Sequence, residues 1–210
     1  MEDIIQQYIK RNNQKFQRYN SWNHCYRAFG TLEDEKLLSL HLAFYLASWG
    51  MYRGSSKLLE RDYLVHIDAV KIIKKYGYLG CSFEHEVALH NLESILNLIQ
   101  ELSSYYKTTH DVIPTDILIS KIILGTLGCL PAFDRFFIDG VKIKGQTFKT
   151  LKRKSIKDLF QFVEVNQIKL KSIKQLYPQY PIMKIVDMYF WQIGYDRANT
   201  KSQNGKTKLF

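Results

Sequence analysis

Cysteine is scarce in this chain of 210 residues, and its three copies (Cys25, Cys81, Cys129) are far apart. That spacing makes neither a disulfide framework nor a zinc-site pattern, so each reads as a small buried apolar residue in a reduced compartment. Long apolar runs are also missing. The longest, Leu37 to Trp49, is interrupted by Ser39, His41 and Ser48 and falls short of the roughly 20 residues that span a bilayer. The opening MEDIIQQYIKRNN has no short apolar stretch of the secretory kind. The expectation is a soluble, cytoplasmic protein without membrane contact. No internal repeat is evident and no segment alternates strongly with period two, which argues against solenoids and β-sandwiches. Acidic residues are nearly absent from the last third. Residues 141–210 hold 15 Lys and Arg against 4 Asp and Glu, whereas residues 1–140 hold 15 against 16. The net charge of +10 therefore resides in that third, as expected either of a polyanion partner, since phosphate binding needs clustered cations, or of a solvated basic face.

What is present is helix-forming and aromatic. A hydrophobic fraction of 46%, with 14 Tyr and 12 Phe, marks a globular chain, long enough for one well-filled domain. Residues 2–18 place Ile4, Ile5, Tyr8, Ile9, Asn12 and Phe16 on one helical stripe. Ser21 is a candidate N-cap for a short aromatic helix ending at Gly30. Asp34 is positioned to cap the next helix, whose core Leu37–Trp49 is apolar nearly all round and is expected at the centre of the bundle, with His41 a hydrogen-bonded core histidine. Further helices are expected from Ser56 to about Tyr76, over 84–104, over 155–176 and from Ile182 to Asp196. The segment DGVKIKGQTFKTLKRK reads as a short hairpin or loop. The expected fold is all-α: a single-domain irregular bundle of about eight or nine helices in residues 1–197, around a buried central helix. Residues 198–210 read as a basic flexible tail.

Several groups carry possible chemistry. The aromatic and polar cluster Trp22, His24 and Tyr26, together with Trp49, either lines a pocket that stacks bases or simply packs. Arg53, Ser55 and Ser56 form a glycine-serine turn where a phosphate would meet free N–H groups, or only a cap. Lys152, Arg153 and Lys154 are the densest cations of the basic third and the other candidate anion contact. His85 and His90 are five apart, about 500° around a helix, whereas the zinc-protease pattern needs four. No metal and no cofactor is expected. The central unit is Asp116–Phe137, an apolar helix broken near Gly125 and Gly128, then a second helix starting near Pro131 with Asp134 in its first turn.

Ser120-Lys121, Pro131 and Asp134, followed downstream by Asp187 and Phe190-Trp191, resemble the second half of the helix-hairpin-helix DNA glycosylase superfamily, in its compact, poorly characterised members. In that family a lysine opens a helix, a short turn contains proline, and an aspartate follows at the next helix start. The resemblance covers about the last 95 residues. It departs where the family has a glycine-bracketed turn before the lysine, since this chain has VIPTDILIS there. It implies Lys121 and Asp134 as catalytic residues, the amine attacking the sugar and the acid supporting developing positive charge. The functional expectation is a helical nucleic-acid-associated protein with DNA or RNA as partner and a degenerate glycosylase-like fold. The alternative is a non-enzymatic protein-interaction module whose basic face meets an acidic partner. A third reading is a small phosphorylated ligand at Arg53–Ser56.

Overall fold

The computed structural model describes residues 1–12, 14–52, 56–80 and 91–206. Among these residues lie ten α-helices and no strand, so the chain is all-α. One apolar cluster draws side chains from all ten.

Local chemistry explains most of the boundaries. Helix α1 (Glu2–Asn12) opens with Glu2 and Asp3 and ends with Lys10 and Arg11, opposing the helix dipole at both ends. Its stripe stops there. Phe16, expected to extend it, has a positive φ of 68° and is 90% exposed. Helix α2 (Asn20–Thr31) begins before Ser21, which sits inside the first turn instead of capping it. Helix α3 (Glu35–Ser48) is capped as expected, with the Asp34 carboxylate accepting the Leu37 N–H at 2.8 Å.

Beyond α3 the chain departs from the long helix expected from Ser56. It makes 3-10 turns at Leu58–Glu60 and Tyr63–His66 before α4 (Ile67–Lys75). Asp62 accepts the Leu64 N–H and so starts the second turn locally. Helix α5 (Leu92–His110) continues through the KTTH expected to be loop and ends where Asp111 turns left-handed. His85, His90 and Cys81 lie outside the described residues. The helix expected over 155–176 is two, α8 (Arg153–Val165) and α9 (Gln167–Leu176), because the Asn166 amide bonds back to the Phe162 carbonyl at the break.

The centre of the molecule is not α3. That helix buries Leu38, Leu42, Tyr45 and Leu46 but leaves Leu37, Leu40 and Phe44 exposed, and His41 is only half-buried. The buried centre is formed by α6 (Asp116–Thr126) and the first half of α10 (Ile182–Lys206), in which every residue from Leu118 to Thr126 and from Ile182 to Gln192 is buried. Helix α7 (Arg135–Ile143) lies against α10 at backbone distance. A Cβ on Gly140 would fall 1.9 Å from the Phe190 carbonyl oxygen, and one on Gly194 2.0 Å from that of Phe136. Only glycines at both positions permit this approach. Helix α10 also runs on through Ala198 to Lys206, so the backbone of the segment read as a tail is helical over 198–206.

Candidate functional site

The short link from α6 to α7 is gripped at three successive residues. The Ala132 N–H donates to Asp187 Oδ1 on α10 at 3.0 Å, and the Phe133 N–H to Ser120 Oγ on α6 at 2.8 Å. Asp134 then receives Lys121 Nζ at 2.9 Å on Oδ2, while its Oδ1 accepts the Phe137 N–H at 3.1 Å. Asp134 is therefore the N-cap of a helix beginning at Arg135, one residue outside the first turn expected of it, and Pro131 precedes the helix altogether. The cap position directs the carboxylate at the free N–H groups of the helix start and holds it facing Lys121. Side-chain exposure is 4% for Lys121 and 14% for Asp134.

A second pair lies on α10. Lys184 Nζ sits 2.8 Å from Asp187 Oδ2, with exposures of 3% and 5%. Tyr8 OH is 3.4 Å from the same ammonium. Aromatic rings supply the rest of the environment. Lys121 Nζ is 4.6 Å from the Trp49 ring centre, and Lys184 Nζ is 6.0 Å from the same ring, 5.2 Å from Trp22 and 5.3 Å from Tyr8. Each such contact offsets part of the cost of removing a cation from water, by about 1–2 kcal/mol where desolvated. The burial pushes the Tyr8 phenol well above its ordinary range, and the negative charge of Asp187 adds to this, so Tyr8 remains a neutral hydroxyl.

Toward solvent, the half-buried Tyr19 and Trp49 meet edge to face at 5.3 Å, and the Arg18 guanidinium lies over both rings, at 5.3 and 5.4 Å. Trp191 packs edge-on against Tyr8, Tyr19 and Trp49. The indole N–H groups of Trp49 and Trp191 are buried with no hydrogen-bond partner among the described residues. The compartment thus presents two ammoniums and two unpaired N–H donors, and both carboxylates are already engaged. The donors of that set are complementary to an acceptor-rich group.

The other sequence candidates are dispersed. Arg53 and Ser55 lie outside the described residues. Ser56 is buried and its hydroxyl bonds the Met51 carbonyl at 2.6 Å, so it serves its own turn and heads no long helix. Lys152 and Lys154 are exposed at the start of α8, but Arg153 forms a bidentate pair with Glu93. That carboxylate competes with any phosphate for the same guanidinium. Trp22, His24 and Tyr26 do line one cleft, whereas Trp49 belongs to the Lys121 side. The indole of Trp22 stacks on Tyr26 at 4.8 Å and its N–H bonds the Leu124 carbonyl. Among the described residues, no group of three or more His, Cys, Asp or Glu gathers as a metal site, and no helix is long and apolar enough to cross a membrane.

Sequence reasoning missed Lys184, Tyr8, Tyr19 and Arg18. A signal for the first was available: Lys184 and Asp187 are two opposite charges, i and i+3, inside the otherwise apolar IMKIVDMYFW. No family model, no curated protein and no solved structure matches this chain.

Proposed function

We propose that this is a helical nucleic-acid-associated protein in which Lys121 and Asp134 form a glycosylase-like centre. The observation that carries the reading is the Lys121 amine, 2.9 Å from the Asp134 carboxylate and over the face of Trp49. A shielded amine beside a carboxylate suits attack on the sugar carbon of a nucleotide whose base has left the stack. In that step the C1′–N bond to the amine forms as the bond to the base breaks. Asp134 supports the positive charge that develops on the sugar and relays the amine proton to the departing base. Opening of the sugar ring then leaves an imine on Lys121. The exposed Lys152 just before α8, with Lys154, Lys157, Lys169 and Lys171 on α8 and α9, supply the phosphate contacts that the basic third implies.

Borohydride reduction in the presence of oligonucleotides carrying damaged or mispaired bases tests the chemistry. A covalent protein–DNA adduct is expected, lost in Lys121→Gln and diminished in the folded Asp134→Asn protein. Salt titration tests the association separately, because affinity for the oligonucleotide falls by a power of salt concentration of about 0.9 per neutralised phosphate. Binding without any adduct across the panel overturns the chemistry and leaves the association.

A second reading rests on a different observation. Val165 and Ile168 flank the α8–α9 corner at 84% and 81% exposure, with Leu176 also exposed, among these same lysines. Apolar side chains ringed by cations suit an acidic protein partner. Val165→Ser with Ile168→Ser abolishes such binding and leaves nucleic-acid affinity unchanged.

A further inference from the structure

A cleft of about 590 Å³ opens between the α1–α2 connection, α2 and Phe44 of α3, within the size range of small-ligand and nucleotide sites. Its lining includes Lys15, Arg18 and Arg27 and no carboxylate. None of these three cations forms an ion pair with a described residue. Two large rings stand open at its edge, Phe16 at 90% and Phe44 at 58% exposure. Ser21, also in the lining, is 3% exposed, yet its hydroxyl has no hydrogen-bond partner among the described residues. Buried polar groups without a hydrogen-bond partner are uncommon in folded proteins.

We infer that this cleft binds a single strand of nucleic acid, an inference that rests on the nucleic-acid reading above and names its partner more closely. Exposed phenyl rings stack on the faces of unpaired bases, faces that a duplex hides. The cations enter the cleft from two elements, Lys15 and Arg18 from the α1–α2 connection and Arg27 from α2, an arrangement that suits a run of phosphates along a backbone.

The cleft also touches the candidate centre through two indoles. Trp22 forms part of its wall and carries Lys184 over its ring at 5.2 Å, and Arg18 lies over Trp49. A strand held here runs past the aromatic compartment, one side chain away from the buried ion pairs.

Fluorescence anisotropy with a labelled oligothymidylate of about 12 nucleotides, and with the same strand paired to its complement, tests the inference. The variant is Phe44→Ala with Arg27→Gln, both outside the Lys121–Asp134 centre. It is expected to lose single-strand affinity by about tenfold or more while duplex affinity holds. Unchanged single-strand affinity overturns the proposal. Should Lys169→Gln with Lys171→Gln weaken single-strand binding and the cleft variant not, the cleft is wrong and nucleic-acid association stands. Wild-type protein that binds neither oligonucleotide at low salt overturns both. Displacement of the strand by polyglutamate, with direct polyglutamate binding lost in the cleft variant, assigns the cleft to an acidic protein and overturns the proposal.

Discussion

The two buried lysine–aspartate pairs are chemically the same and structurally different. Their N–O distances are 2.9 and 2.8 Å. Lys184–Asp187 is closed on every side: three rings surround the ammonium, and the remaining oxygen of Asp187 fixes Ala132. Lys121–Asp134 has one ring over its amine and an aspartate 14% exposed, at a helix start. The difference teaches that two ion pairs of the same chemistry are enclosed to different degrees by what else faces them, and under the proposed function the more open one is the reagent and the closed one the fastener. The α10 pair holds the turn that carries Asp134; the α6–α7 pair is the less enclosed of the two.

Substitution of Asp187 is the strongest way to break that comparison. Asp187→Asn leaves Lys184 charged, buried and unpaired, and is expected to cost about 3–5 kcal/mol. Urea unfolding measures it, and a loss below about 1 kcal/mol would mean that the α10 pair fastens nothing.

His66 sharpens the contrast from a third position, since it is buried with no carboxylate beside it. It is held instead between two hydroxyls, Tyr52 OH at 2.8 Å from Nε2 and Tyr106 OH at 2.6 Å from Nδ1. A neutral imidazole has one donor and one acceptor nitrogen and satisfies both contacts. Burial, with a smaller push from His110, lowers it to about 3. Because the folded value lies below the unfolded one, the unfolded chain binds more protons between about 3 and 6.5. The stability from neutral His66 is complete above about 6.5 and is lost as pH falls toward 3, at about 1.4 kcal/mol per pH unit. From pH 6.5 to 4.5 the loss amounts to about 2 kcal/mol, and His66→Gln is expected to flatten that slope in urea titrations. An unchanged slope in the variant would place the pH dependence elsewhere.

Asp134→Asn is expected to cost less than Asp187→Asn, about 1–2 kcal/mol. Asparagine caps a helix nearly as well as aspartate, and only the partner charge is lost at a less enclosed site. Paired with adduct formation, this variant separates the reagent from the fastener: activity falls far more than stability. Equal losses at the two aspartates would make both pairs structural.

The smallest effect is expected at Phe44. An apolar helix reads as a core element, and core truncation of a phenylalanine costs about 3–5 kcal/mol. With Phe44 58% exposed, Phe44→Ala is expected to change stability by no more than about 0.5 kcal/mol, visible as an almost unshifted thermal midpoint. A large shift would return α3 to the core.

By itself the sequence determined the helical class, the Asp34 cap and the concentration of cations in the last third, because capping, helical periodicity and charge are local properties. It also singled out Lys121 and Asp134, 13 residues apart, and the cluster of Trp22, His24 and Tyr26. It did not determine which apolar helix lies at the centre. Helix α3 is apolar on several faces, yet it keeps one face in solvent while α6 and the first half of α10 are enclosed, and periodicity cannot rank helices competing for one core. Only the tertiary structure decided that Asp187 reaches Ala132, that Tyr8 meets Lys184 from 176 residues away, and that Trp49 serves both ammoniums. The same holds for the backbone-distance approach of α7 and α10 through Gly140 and Gly194. The physical reason is that a missing side chain becomes informative only once the surface it admits is known.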